Sequence, residues 1–301
     1  MTPARHHGLL LLNKKPGITS FDSLGAVKRA FSTGKAGHTG TLDKFASGLL
    51  VVLIGRGLKL IPLFSSCVKE YTGTIRFGSE TDTLDPEGLI IAQGPIPSEE
   101  AIKSSLAGFR GEIFQEPPHY SALHIGGKRA HELARGGKAF KMPSRPITVF
   151  SLELISYTPP DAVIFVRVSP GTYIRSLARD IALACGSRAH LAALKRTAVG
   201  AFRLEASVED SGEDEKLINA LRPLDRKLME SLALPFLLLD DEEANGFVHG
   251  KPLSLLFKDL ESRLKGSQRA VVFRKNSSDS LLGILENING TWGYMHVFAD
   301  T

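Results

Sequence analysis

The feature that most constrains this chain is a glycine-punctuated polar loop running straight into an apolar segment. Residues 37–48 read Gly-His-Thr-Gly-Thr-Leu-Asp-Lys-Phe-Ala-Ser-Gly, and residues 49–54 read Leu-Leu-Val-Val-Leu-Ile. An apolar run of that length, rich in β-branched residues, predicts a buried strand. Gly37 and Gly40 admit backbone angles that other residues resist, so the loop can turn sharply and lie close to a ligand. At the loop's end Asp43 sets a carboxylate beside a rigid element. Residue type and position there fit either an Asx-turn or cap, or a nucleophile held for covalent chemistry.

With 301 residues, the natural prior is one large domain followed by a smaller one. A hydrophobic fraction of 43% leaves room for a sizeable core, and no apolar stretch is long enough to span a bilayer. Residues 9–12 are too short for a secretory signal. Only Cys67 and Cys185 occur, outside any CxxC or zinc-like cluster, which predicts a reducing, cytoplasmic setting. The net charge of +5 is unevenly placed: residues 1–60 hold nine Lys or Arg against two Asp, whereas residues 205–301 hold eleven against seventeen acidic groups. A polyanion is therefore expected on the front two-thirds.

Along the chain, residues 8–13 predict a strand, closed by a Lys-Lys-Pro-Gly turn. Thr19 or Ser20 caps a helix whose apolar face is Phe21, Leu24, Val27 and Phe31. A short helix is expected over 55–64, with Arg56 and the candidate substrate contact Lys59 near its start. Residues 69–78 alternate like a strand and carry Tyr71, by type alone core or surface packing. The acidic loop 80–88 lacks the glycine and distal glutamate of an EF-hand, so no metal is assigned to it. A helix over 98–108 and paired strands over 146–157 and 162–169 come next, then a helix through Leu177, Ile181 and Leu183 that ends at Gly186. Arg175 falls at that helix's start, where the helix dipole disfavours a cation, so it should have a partner, for which Asp43 is one candidate. Short strands over 269–273, 281–286 and 293–298 predict a small β-rich unit after a boundary between Leu221 and Leu234.

Gly-His-Thr-Gly-Thr-Leu-Asp with its Ala-Ser-Gly and apolar sequel resembles the signature of the TruB-type tRNA pseudouridine synthases. Further stretches match in order: Lys-Pro-Gly-Ile-Thr-Ser at 15–20, Lys-x-Tyr at 69–71, Pro-x-Tyr-Ser-Ala at 118–122, Gly-Thr-Tyr-Ile-Arg at 171–175, and a closing motif over 189–200. The match spans roughly residues 8–204 and, more loosely, 235–301. Lys44 stands where the family usually has proline, adding a charge beside the expected nucleophile.

The resemblance implies an α+β fold: a mixed, mainly antiparallel central sheet with flanking helices, plus a PUA-like β-rich C-terminal domain. It divides the chain into a catalytic domain, 1–230, and an RNA-binding domain, 235–301. A basic arm over about 124–146, including Lys128 and Arg129, matches the family's RNA-clamping thumb. Asp43 becomes the nucleophile toward base or ribose, Tyr71 the residue that stacks on the base and assists proton removal, and Arg175 the partner of Asp43. Tyr173 packs in the active site, Leu194 lines the uracil pocket, and His38 opens the loop or fills the stack. The substrate implied is the T-loop uridine of tRNA, flipped from its stack. The reaction is an isomerisation, so no cofactor and no metal are expected. A monomer that needs no guide RNA is also expected.

Two other classes stay open on the residues alone. One is an RNA-binding protein without chemistry. The other is a retaining hydrolase pairing Asp43 with Glu80 or Asp82, which requires carboxylates about 5 Å apart.

Overall fold

A computed structural model describes residues 6–121, 123–125, 128–130, 133, 142–209, 213–275 and 280–298. Its centre is a ten-stranded mixed sheet. The main strands are β1 (Gly8–Lys14), β2 (Ser47–Ile54), β3 (Lys69–Phe77), β4 (Gly111–Gln115), β5 (Arg145–Thr158), β6 (Asp161–Val168), β7 (Ala189–Val199) and β8 (Val208–Glu209). They lie in the order β8-β1-β2-β7-β3-β6-β5-β4. Pairing is antiparallel except at β8-β1 and β2-β7.

The apolar run that announces β2 is explained by cover on both faces. Strand side chains alternate, and here they feed two different cores. Leu49, Val51 and Leu53 pack with Leu9, Leu11 and Phe64. Leu50, Val52 and Ile54 pack with Leu10, Leu12 and the helix α1 (Ser20–Ala30) through Leu24 and Val27. These six apolar side chains of β2 are fully buried, each stabilising the fold by roughly 1.5–3 kcal/mol. Thr19 caps α1 in a reciprocal capping box with Asp22. Phe21 departs from the expected apolar face: it is 69% exposed and carries the Lys28 ammonium 4.9 Å from its ring centre.

A third core joins β3, β5, β6 and the helices α2 (Glu99–Leu106) and α3 (Ile174–Ala184). Segment 189–200, whose leucine spacing equally suits a core helix, is instead strand β7, paired with β3 along most of its length. Its residues Thr197 and Val199 are β-branched, and two β-bulges near Leu191/Ala193 and Arg196/Ala198 adjust its register.

The C-terminal part forms a four-stranded sheet in the order β9 (Phe236–Leu239), β10 (Arg269–Arg274), β11 (Leu281–Ile288) and β12 (Thr291–Val297). It is a small β-sheet separate from the central one, consistent with a PUA-like domain. The parallel strand β9 and helix α4 (Asp241–Val248) lie beyond the three strands expected from sequence. Val271, Phe273, Ile284 and Phe298 share one apolar core with β1 and β2, while Ala270, Val272 and Leu282 face α4. The expected basic arm lies largely outside the described residues. Within it, Lys128–Arg129 pairs as a short strand with His124–Ile125.

Candidate active site

The loop before β2 is pinned on both sides of Asp43. Leu42 is buried and exchanges two hydrogen bonds with Ser20: its N–H donates to Oγ at 2.8 Å, and Oγ donates to its carbonyl at 3.0 Å. The Lys44 carbonyl accepts from the Gly17 N–H at 2.8 Å and from the buried Lys14 ammonium at 3.3 Å. Gly48 adopts φ +98°, and a Cβ there would lie 2.4 Å from the Arg196 carbonyl, so only glycine fits. The Lys-Pro-Gly turn thus holds Asp43 in place through its neighbours' backbone.

Arg175, in the first turn of α3, is 5% exposed and finds the expected partner. Its Nε stands 2.9 Å from Asp43 Oδ2, and Nη2 donates to Asp43 Oδ1 at 3.2 Å. It holds more than that. Nη1 donates to the Thr83 carbonyl at 2.7 Å and to Asp85 Oδ2 at 3.3 Å, and Nη2 donates to the Tyr120 carbonyl at 3.1 Å. Asp85 is fixed in turn, because its Oδ1 accepts from Thr83 Oγ1 at 2.6 Å and from the Glu87 N–H at 3.0 Å. Leu84 between them takes φ +62°, a strain of about 1 kcal/mol or more, while its carbonyl accepts from Leu191 on β7. The acidic loop is therefore built around an arginine.

The Asp43 side chain is 37% exposed to the cleft. Desolvation pushes its carboxyl above the ordinary range, and the Asp85 charge adds to that; Arg175 pulls against both.

These groups line one cleft of about 880 Å³ together with His38, Lys69, Tyr71, Tyr173, Leu194 and Arg196. Tyr71 on β3 is buried and stands opposite Arg196 on β7. Tyr173 is clamped by Gln115: its N–H donates to Oε1 at 2.8 Å, and Nε2 donates to its carbonyl at 3.0 Å. Arg145 donates to the Gly171 carbonyl and stacks 4.9 Å over the Tyr173 ring. His38 has a buried Nδ1 with no hydrogen-bond partner among the described residues, and burial beside Arg196 lowers its pKa.

Lys59 is not brought into the cleft. Its ammonium donates to the Val297 carbonyl at 2.8 Å and lies 5.3 Å from the Phe298 ring centre, joining the C-terminal sheet to the rest. Lys44 turns its ammonium to Glu87 at 3.7 Å. Neither carboxylate weighed for a hydrolase joins Asp43: Glu80 pairs with Arg188 at 2.9 Å, and Asp82 accepts from the Leu89 N–H at 2.8 Å. Sequence reasoning missed Asp85, Lys69 and Arg196. Lys69 was legible as a strand neighbour on the Tyr71 face; Arg196 was not, because only the pairing of β7 with β3 brings it there, nor was Asp85, which reaches Arg175 only through the turn.

Residues 28–174 match the model of the TruB family pseudouridylate synthase (N terminal domain). The tRNA pseudouridine synthase B of Borreliella burgdorferi (strain ZS7) is 48% identical over 204 residues, covering 67% of this chain and 72% of that one. The chain belongs to the TruB family of pseudouridylate synthases. The similarity extends into the C-terminal part: the tRNA pseudouridine synthase B of Burkholderia lata is 38% identical over 288 residues, covering 94% of this chain and 87% of the relative. Among solved structures, the crystal structure of a Cbf5-Nop10-Gar1 complex has a chain that superposes with TM-score 0.68 at 24% identity, covering 98% of this chain and 84% of that one. That likeness concerns the fold of this TruB-family chain alone. Among the described residues no helix is long and apolar enough to cross a membrane, and no three His, Cys, Asp or Glu side chains form a cation-binding group.

Proposed function

We propose that this chain is a tRNA pseudouridine synthase that isomerises the T-loop uridine, position 55, with Asp43 as nucleophile. The observation that carries the reading is the Asp43–Arg175–Asp85 array opening onto a cleft faced by Tyr71 and Tyr173. In the reaction the C1′–N1 bond breaks, the uracil turns, and a C1′–C5 bond forms, while C5 gives up a proton and N1 gains one. Asp43 supplies the covalent link during that turn. Arg175 keeps its carboxylate charged and aimed despite desolvation. A flipped pyrimidine needs a flat partner to replace lost stacking; Tyr71 provides it and assists removal of the C5 proton. Leu194 forms the apolar side of the pocket and Tyr173 its aromatic wall.

The same reading divides the chain into a catalytic part, residues 1–230, and a PUA-like part, residues 235–301, that meets the acceptor side of the tRNA. It places the thumb with Lys128 and Arg129 on the RNA backbone and the enzyme in the cytoplasm. The test is tritium release from unmodified tRNA carrying 5-tritiated uridine, with chromatographic nucleoside analysis. Wild type should release tritium and yield pseudouridine in the T-loop, and Asp43→Ala should bind the tRNA without either. Tight binding with no product from wild type sinks the enzyme reading; free uracil instead of pseudouridine replaces it with a hydrolase.

A further inference from the structure

The cleft holds a second cluster of buried charge that the Asp43 chemistry leaves unused. Lys69 on β3 is 9% exposed and Arg196 on β7 is 1% exposed. Both line the cleft wall beside Tyr71 and His38. Their side chains converge at Gly40, where an added Cβ would lie 3.7 Å from Arg196 Nη1 and 3.7 Å from Lys69 Cε. Among the described residues neither is ion-paired: every hydrogen bond they make goes to a backbone carbonyl. Arg196 uses Leu49 at 2.7 Å and Gly40 at 3.0 Å, and Lys69 uses Ser65 at 3.2 Å and Cys67 at 2.9 Å.

Two buried like charges side by side cost free energy unless an anion joins them. The cost is visible: burial and then the Arg196 charge bring the Lys69 pKa down to about 8. An ammonium carries three donors and a guanidinium five, so Lys69 keeps one N–H and Arg196 both Nη1 protons for a ligand. The position is also telling. Lys69 and Tyr71 are two residues apart on one face of β3, about 6.6 Å, the scale that separates a nucleobase from its own phosphate.

Resting on the reading that Tyr71 stacks on the flipped uridine, we propose that Lys69 and Arg196, with Gly40 between them, form an anion subsite for one backbone phosphodiester of the RNA, adjacent to the target nucleotide. The phosphate bridges the two cations and completes a charge balance the protein alone leaves open. Asp43 does the chemistry in the cleft, and this pair in its wall holds the strand.

The test uses the full chain and a synthetic T-arm stem-loop whose phosphates flanking the target uridine are replaced, one at a time, by neutral methylphosphonate. In wild type one replacement should weaken binding about tenfold, the scale of one charge-assisted contact. Lys69→Met should weaken binding of the unmodified RNA by a similar factor, lower its salt slope by about one, and be indifferent to that methylphosphonate. Its kcat should hold while KM rises, and Lys69→Arg should restore binding. Equal penalties for the neutral phosphate in wild type and Lys69→Met overturn the proposal.

A second arm uses wild type alone, so misfolding of Lys69→Met or absence of synthase activity does not blunt it. Inorganic phosphate is titrated while the Lys69 side-chain nitrogen is followed by NMR. Its pKa should rise from about 8, and phosphate affinity should fall as pH passes that value. The titratable groups facing Lys69 move away from that range rather than into it: burial pushes the Cys67 thiol up and the His38 imidazole down. A Lys69 pKa unmoved by phosphate removes the subsite, whatever the tritium assay says.

Discussion

The cleft contains two buried arginines held in opposite ways. Arg175 has a carboxylate on each side and carbonyls on both Nη groups, so its charge is balanced within the protein. Arg196 has only carbonyls and a neighbouring lysine. A balanced arginine needs no ligand and can hold a catalytic carboxylate in place before substrate arrives; this is preorganisation. An unbalanced one has work left for a ligand to do. On the proposed reading, Arg175 serves the reacting carboxylate and Arg196 serves to hold the RNA.

The harshest way to probe the balanced arginine is Asp43→Asn. Activity should fall about 10⁴-fold or more, as when a covalent nucleophile is removed, with RNA affinity unchanged within a few-fold. Stability should move the other way. The folded-state pKa of Asp43 is raised, so its ionised form costs stability once pH exceeds the unfolded value, and the cost is absent in acid. At pH 7 Asp43→Asn should therefore melt no lower than wild type. A clear drop in melting temperature would falsify the view that this carboxylate is held for function at the fold's expense.

Arg175→Lys comes next. A lysine cannot span two carboxylates and two carbonyls at once, and Asp85 would be left buried without its fork. Activity should drop roughly 10²- to 10³-fold and stability by up to about 3 kcal/mol, read by tritium release and thermal melting. Wild-type rates from this variant would mean that Asp43 keeps its charge and aim without the guanidinium.

A subtler change is Asp85→Asn. Its charge raises the Asp43 pKa, so neutralising it lets Arg175 act on Asp43 alone, and the acid limb of the kcat/KM profile should shift to lower pH. An acid limb that stays where it was, or rises, breaks the coupling through Arg175.

Much around the balanced arginine was readable in the sequence. The Asp43 loop, the β2 run and the Arg at the start of α3 each have local signals; the electrostatic mismatch at Arg175 called for a partner, and the family resemblance named Asp43. What stayed hidden depends on through-space closure. Asp85 looked like part of an acidic turn until Leu84 carried that turn back against β7. Strand β7 was ambiguous because Leu191 and Leu194 suit a helix as well as a bulged strand; long-range pairing with β3 decided it. Phe21 kept helical spacing yet ended in solvent, since α1 needs only Leu24, Val27 and Phe31 for its core. Strand β9 and helix α4 escaped notice because β9 is a four-residue parallel strand whose partner lies about thirty residues on.

Lys59 supplies the mildest test, and it sharpens the contrast with Lys69. The two lysines are ten residues apart, and by residue type alone both qualify as phosphate contacts. Lys69 is buried in the cleft beside another cation, while Lys59 is spent on the Val297 carbonyl and the Phe298 ring, where the C-terminal sheet meets the shared apolar core. Lys59→Met should thus cost about 1 kcal/mol of stability, the worth of one hydrogen bond to a charged group at an exposed site, seen as a small fall in melting temperature. Its RNA affinity should change less than twofold and its salt slope should stay put. If Lys59→Met instead lowers the salt slope as Lys69→Met is expected to, the ammonium leaves Val297 for RNA, and the two lysines belong to one phosphate track rather than to a structural contact and a subsite.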